Sequence, residues 1–222
     1  MNPLVIISMT TIPARNGTLG ETLASLAAQN VQPDAIALYL TPGCISPLLR
    51  INRLQRLNVI DCGPVTKLYA VMSDLPPNTI IITVDDDQTY NSNWLGILLE
   101  GVRRFPDCAV GFSGWNLGTI PVFAWGPCDV LEGWAGAAYR KSWFDAEILN
   151  PPLLTRSNDD VWISSYLHRK GVRRMLLGPP KHVVSPRTSP WVPGLHDQPG
   201  FRRAARAAAE TLFSFPLTSF DK

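Results

Sequence analysis

The segment Thr79-Ile80-Ile81-Ile82-Thr83-Val84-Asp85-Asp86-Asp87 constrains this chain more than any other. Its first six residues are all β-branched, the composition of a strand covered on both faces of a sheet. The three carboxylates that end it repel one another unless positive charge stands close by. If the chain stays extended, Asp85 and Asp87 share one face and Asp86 takes the other. Ligands of open α/β sheets bind at the carboxyl ends of the strands, and two carboxylates converging there suit a hard divalent cation, Mg²⁺ or Mn²⁺. A solvated acidic turn is the competing reading; the apolar strand directly before the acids favours a metal or ligand site.

The flanking pattern places this strand in a longer alternation. Leu4 to Met9 reads as a first buried strand, followed by the loop Thr10-Thr11-Ile12-Pro13-Ala14-Arg15-Asn16-Gly17. Thr18 and Glu21 have capping-box spacing, and Leu19, Leu23, Leu26 and Ala27 form a helical stripe behind them. Strands are predicted over Ala35–Leu40, Asn58–Ile60 and Cys108–Phe112. Helices are predicted from about Val65 to Asp74, burying Leu68, Val71 and Met72, and from about Asn93 to Arg104. Strands alternating with helices predict an α/β fold, a mostly parallel central sheet flanked by helices.

With 222 residues, 45% apolar and 17% charged, the chain has the composition of a globular protein. A formal charge of +2 is too small to argue for nucleic acid as partner. Cys44, Cys62, Cys108 and Cys128 show no CxxC pair and no zinc spacing, and read as mostly buried thiols in a reducing compartment. The short apolar start lacks a basic n-region, and no segment approaches membrane-spanning length, so the expectation is a cytoplasmic protein. One domain over 1–222 is expected, with about 1–110 and 111–185 as its halves and 186–222 as a tail.

From about Gly111 to Arg140 the composition changes, with glycines interleaved with Trp115, Trp125 and Trp134. Glycine admits close approach of a backbone to a ligand, and an indole offers a flat apolar face suited to a sugar ring. Well-packed loops with aromatic plugs would show the same composition.

A second acidic cluster, Asp159-Asp160, opens a helix predicted to run to about Lys170 and to stop at Gly171, with Ser157 or Asn158 as N-cap. Acids in a first turn stabilise the helix dipole, which is reason enough for them to be there. A carboxylate so placed is also held rigidly, as a general base must be, and the helix N-terminus is expected to keep it ionised at neutral pH. Of the three histidines, His168 is expected on the surface of this helix, while His182 and His196 lie in Pro- and Gly-rich loops where either could close a metal or phosphate site. The Arg202–Ala209 run predicts a C-terminal helix with a basic edge. Phe201, Leu212, Phe213 and Phe215 would let it rest on the domain, a partner subunit or the edge of a membrane.

In this order the motifs resemble the GT-A class of glycosyltransferases, the nucleotide-diphospho-sugar transferase superfamily and its family-2-like members, over about residues 4 to 185. The matching parts are a loop after the first strand (Thr10, Thr11, Pro13, Arg15), a DxD-type motif (Asp85-Asp86-Asp87), a glycine loop (Gly133-Trp134-Ala135-Gly136), an xED-like motif (Asn158-Asp159-Asp160) and His182. The Asp61–Leu68 segment, with Lys67, looks like a nucleotide-binding turn of the class. The resemblance implies a nucleoside diphosphate, UDP favoured, along the strand tips. Arg15 and Lys67 would touch the base edge or phosphates, with Asp61, Asp86 and the Thr10–Pro13 loop nearby. It gives Asp85 to the ribose, or to the metal as a second ligand, and Asp87 and His182 to Mn²⁺ or Mg²⁺. Gly133, Trp134 and Gly136 would line the donor sugar and a glycan, lipid-linked or protein acceptor. Asp160, or Asp159, would be the base of an inverting enzyme. The middle position of the xED pattern is Asp159 here rather than Glu.

Two other functions fit parts of this pattern. A sugar-1-phosphate nucleotidyltransferase usually carries a glycine-rich basic loop after its first strand, which Ser8–Arg15 lacks. A non-catalytic nucleotide-sugar-binding protein would need neither acidic cluster.

Overall fold

A computed structural model of the chain describes residues 2–45, 51–117, 125–185 and 198–214. His196, Phe215, Gly118 and most of the 186–222 tail lie outside the described residues. The chain begins with β1 (Val5–Thr11), α1 (Leu19–Ala27), β2 (Ala35–Leu40), β3 (Leu54–Asn58), β4 (Ile80–Thr83) and β5 (Thr89–Tyr90). It continues with α2 (Trp94–Arg104), β6 (Cys108–Trp115), β7 (Gly126–Pro127), β8 (Val130–Arg140), α3 (Asp159–Arg169), β9 (Arg173–Leu176), β10 (Val184–Ser185) and α4 (Phe201–Phe213).

Eight strands form one sheet in the order β3-β2-β1-β4-β8-β6-β9-β7, and β10 pairs with β5 beside it. The first four run parallel, and β6 and β9 are parallel to each other, whereas β8 runs antiparallel to both of its neighbours. The predicted mostly parallel sheet is therefore present, with β8 reversed at its centre.

The β-branched run does what its composition requires. Ile81 packs into the layer formed with Leu68, Val71, Trp162 and Tyr166, while Ile80 and Ile82 pack on the other face against Leu23, Leu26, Trp94 and Leu98. Each such side chain removed from water contributes about 1.5–3 kcal/mol.

Several local expectations are corrected. Thr18 is the N-cap of α1, but its hydroxyl donates back to the Arg15 carbonyl at 3.2 Å rather than accepting from the helix. The third strand lies earlier than predicted, at Leu54–Asn58; it is a sheet edge with four exposed residues and so carries no burial signal. The segment Pro64–Met72 is a 3₁₀ helix, and its tighter winding leaves Met72 53% exposed. His168 is half-buried against the Phe213 ring rather than on the surface, because α4 packs across α3. That contact seats Phe213 on the domain, and no helix among the described residues is long and apolar enough to cross a membrane. Cys108 and Cys128 are buried, Cys44 and Cys62 are half-buried, and all four are free thiols.

The largest correction is that Gly133–Gly136 is not a loop. It lies within β8, in a wide bulge where β8 takes five residue steps between Ala137 and Glu132 while β6 takes two between Gly111 and Ser113. Side chains from other elements satisfy the backbone groups this frees. Trp94 Nε1 donates to the Ala135 carbonyl at 2.8 Å and the Tyr90 hydroxyl to the Trp134 carbonyl at 2.9 Å. The Gly133 N–H donates to Asp160 Oδ1 at 2.9 Å. Gly136 has φ +99°, and a Cβ there would lie 2.4 Å from Trp94 Cζ2. Gly136→Ala is therefore expected to cost about 1–3 kcal/mol in urea unfolding. Gly17→Ala, where a Cβ meets nothing within 4 Å, serves as the near-neutral control.

Candidate active site

Strand β4 ends at Thr83 and the chain turns at Asp86 and Asp87, so the alternation of an extended chain does not carry through the three acids. Asp85 goes one way, with Oδ1 2.6 Å from Lys67 Nζ. Asp86 and Asp87 go together to Arg15, whose Nη1 bonds Asp86 Oδ1 and whose Nη2 lies 2.9 Å from Asp87 Oδ2. Thr11 donates its hydroxyl to Asp86 Oδ2 at 2.5 Å, and Thr22 donates to the Asp86 carbonyl at 3.0 Å. The charge that three adjacent acids demand is thus supplied from within the chain, by Arg15 and Lys67. Burial pushes the Asp86 carboxyl up against the pull of Arg15 and Thr11. Burial also works against the Arg15 charge, but Asp86 and Asp87 outweigh it and raise the guanidinium further.

The second acidic cluster meets the first across Lys67. Asn158, not Ser157, is the N-cap of α3, its Oδ1 accepting from the Val161 N–H at 3.1 Å. This fixes Asp159 and Asp160 in the first turn. Asp159 Oδ2 lies 3.0 Å from Lys67 Nζ, and Asp160 Oδ1 accepts from Gly133 across the gap to β8. A Cβ on Gly133 would stand 3.4 Å from Asp160 Oδ1 and 3.3 Å from Thr83 Oγ1, so this glycine is what lets β8 come so near. Lys67 is 5% exposed. Burial disfavours its charge, yet Asp159, Asp85 and Asp160 outweigh that and hold the ammonium well above its usual range.

Asp160 behaves contrary to expectation. Burial, and next the charge of Asp159, push its carboxyl well above the ordinary carboxylate range, with Lys67 working the other way. The helix N-terminus does not keep it low, because desolvation and the charges of Asp159, Asp85 and Glu132 weigh more than a dipole end. Asp160 Oδ2 takes no hydrogen bond from a described residue.

Other residues singled out by sequence fall at varying distances from this cluster. Thr10 is half-buried and donates to the Tyr39 carbonyl at 3.1 Å, and Pro13 opens an exposed 3₁₀ turn that carries Arg15. Asp61 is exposed and accepts from the Gly63 N–H at 2.8 Å, closing the turn ahead of Lys67. Gly136 packs on Trp94 rather than lining a cleft. His182 is exposed on the 3₁₀ turn Pro180–His182, where its carbonyl accepts from Asn91 at 3.2 Å.

Asp85, Asp87 and His182 do not converge as a cage; among the described residues no three His, Cys, Asp or Glu side chains do. A magnesium or manganese ion that binds with a diphosphate needs only one or two protein carboxylates, phosphate oxygens and water filling the rest. One carboxylate of the acidic turn is enough for that, although Asp87 here meets Arg15 and Asp85 meets Lys67.

Sequence reasoning missed Tyr90, whose hydroxyl accepts from the Asp85 N–H at 3.2 Å and so ties the acidic turn to β8. It also missed Ser113 and Glu132. The one signal available was a lone acid in the run Val130-Leu131-Glu132-Gly133, which otherwise lacks charge.

Sheet order, reversed β8 and acidic turn together define the fold of the GT-A class. Solved structures of this fold include S. aureus TarS 1-349 in complex with UDP-GlcNAc (TM-score 0.59, 15% identity, covering 95% of this chain and 66% of that one). TarS 1-349 in complex with UDP gives a TM-score of 0.55 at 14% identity, covering 95% and 69%. TarS 1-349 alone gives 0.54 at 15%, covering 83% and 60%, so the chain spans less than two thirds of that structure. Neither a family model nor a curated protein matches the sequence.

Proposed function

We propose that this chain is a glycosyltransferase that moves a sugar from a UDP-sugar to a hydroxyl acceptor, with Asp160 as general base. The observation that carries the reading is the meeting of two acidic clusters across one buried lysine, at the carboxyl end of a GT-A-type sheet. The UDP and UDP-GlcNAc complexes of TarS, which shares the fold, support the choice of nucleotide.

The chemistry is built from these residues. Asp160 Oδ1 is fixed by the Gly133 N–H, so Oδ2 is the oxygen that takes the acceptor proton. Asp159 and Lys67 hold the first turn of α3 against the Asp85 loop, which keeps that oxygen beside the reacting carbon. Asp87 and Asp85 would hold Mg²⁺ or Mn²⁺, which when bound neutralises charge on the departing diphosphate. Arg15 sets the turn that presents them.

Calorimetry with UDP tests this reading. Binding with Mn²⁺ that disappears with EDTA, and that Asp87→Asn abolishes, is expected. Binding indifferent to EDTA removes the metal role, and no binding under either condition overturns the nucleotide assignment.

Because Asp160 must be ionised to act and its carboxyl is held high, kcat/KM should climb with pH through a limb above the ordinary carboxylate range. A flat profile from about pH 5 to about pH 8 would contradict it.

A further inference from the structure

Glu132 is a half-buried carboxylate on β8, directly before the bulge, close enough to Asp160 that its charge helps raise that carboxyl. Its Oε2 accepts the Ser113 hydroxyl at 2.5 Å and lies 3.2 Å from Trp134 Nε1. The same indole N–H reaches Ser113 Oγ at 3.0 Å, and Ser113 is wholly buried. These two neutral donors fix the carboxylate by one oxygen. Among the described residues Oε1 takes no hydrogen bond and no cation pairs with Glu132. One oxygen is thus held in place by the protein while the other is left open to accept from a ligand.

The surroundings indicate which ligand. Trp134 is half-buried, and its carbonyl is joined through the Tyr90 hydroxyl to the Asp85 N–H. The pair therefore stands beside the acidic turn, where a diphosphate and the sugar attached to it would lie. An aromatic face with a carboxylate acceptor next to it matches the C–H face and hydroxyl edge of a pyranose.

We propose that Glu132 is the specificity-determining residue for the transferred sugar, with Oε1 accepting one of its ring hydroxyls and Ser113 and Trp134 fixing the carboxylate's angle. This rests on the UDP-sugar reading above. The donor sugar is assigned rather than the acceptor because the connection through Tyr90 leads to the acidic turn.

Calorimetry of the full chain with UDP, UDP-glucose, UDP-galactose and UDP-GlcNAc separates the possibilities. The wild type should prefer one UDP-sugar over the others. Glu132→Gln should shrink that preference by about tenfold while leaving UDP affinity within about twofold, because it puts an N–H donor where the carboxylate oxygen accepted and leaves the UDP contacts as they are. Ser113→Ala, which keeps the carboxylate but frees its angle, should give an intermediate loss. An unchanged preference with UDP binding intact overturns this proposal alone. So does a fall in UDP affinity in step with the sugar, which would mark a merely structural role. Failure of the wild type to bind UDP overturns the underlying reading and this one with it.

Discussion

Asp160→Asn is expected to lower turnover by about 10²–10⁴-fold while leaving UDP affinity unchanged, since a positioned base contributes on that scale. The substitution keeps the shape and can still accept from the Gly133 N–H through its amide oxygen, so β8 and α3 stay in register. It removes the acceptor site for the proton. It also removes a carboxylate whose ionisation burial opposes, so the variant should be no less stable than the wild type. Single-turnover transfer or hydrolysis, read beside a urea melt, separates the two effects. Intact turnover would return Asp160 to a helix-end role and pass the base to Asp159, which Asp159→Asn then tests.

Lys67→Met is expected to be the most destabilising single change, at about 3–5 kcal/mol, because it leaves buried carboxylates without their cation. The expectation rests chiefly on Asp159, whose side chain is 10% exposed; Asp85, at 33%, is better able to recover water. Asp159→Asn in the Lys67→Met background should recover part of the loss, as removing one of two unpaired charges must. Should the double variant be no better than the single, the cost lies in packing and not in charge. Any folded Lys67→Met protein should also show its kcat/KM limb at higher pH, since Lys67 is what draws the Asp160 carboxyl down.

The framework was legible where side-chain period matched burial. Ile80 to Val84, the Leu19/Leu23/Leu26 stripe and the Trp94/Leu95/Leu98 face are all wholly buried, as their spacing requires. Strand β3 was not, because an edge strand reading Leu-Gln-Arg-Leu-Asn has little burial to impose a period. Nor was β8, for the opposite reason. Its glycines are small because Thr83 and Asp160 stand against Gly133 and Trp94 presses on Gly136, and smallness without context reads as a loop.

In the candidate site the acids were legible as a charge problem, but their partners were not. Arg15 lies 71 positions from Asp86, and Lys67 is 92 positions from Asp159. Only the fold brings such pairs together, so the sequence shows the acids without the cations that meet them. The pKa of Asp160 was misread for the same reason. A helix end is visible in sequence, whereas burial beside Asp159 and Asp85 is not.

The reversal of β8 has a consequence for how such a protein can diversify. In the parallel strands the chain leaves the sheet at the cleft, so novelty enters through the loop after each strand. In β8 the chain arrives at the cleft, and Glu132, Gly133 and Trp134 are met before the ladder with β4 begins at Ala137. Insertions or exchanges just ahead of Val130 therefore reshape the surroundings of Glu132 and Trp134, while the β4–β8 ladder behind them stays as it is. On the function proposed above, donor preference and nucleotide preference would then lie on separate stretches of chain, free to change one at a time.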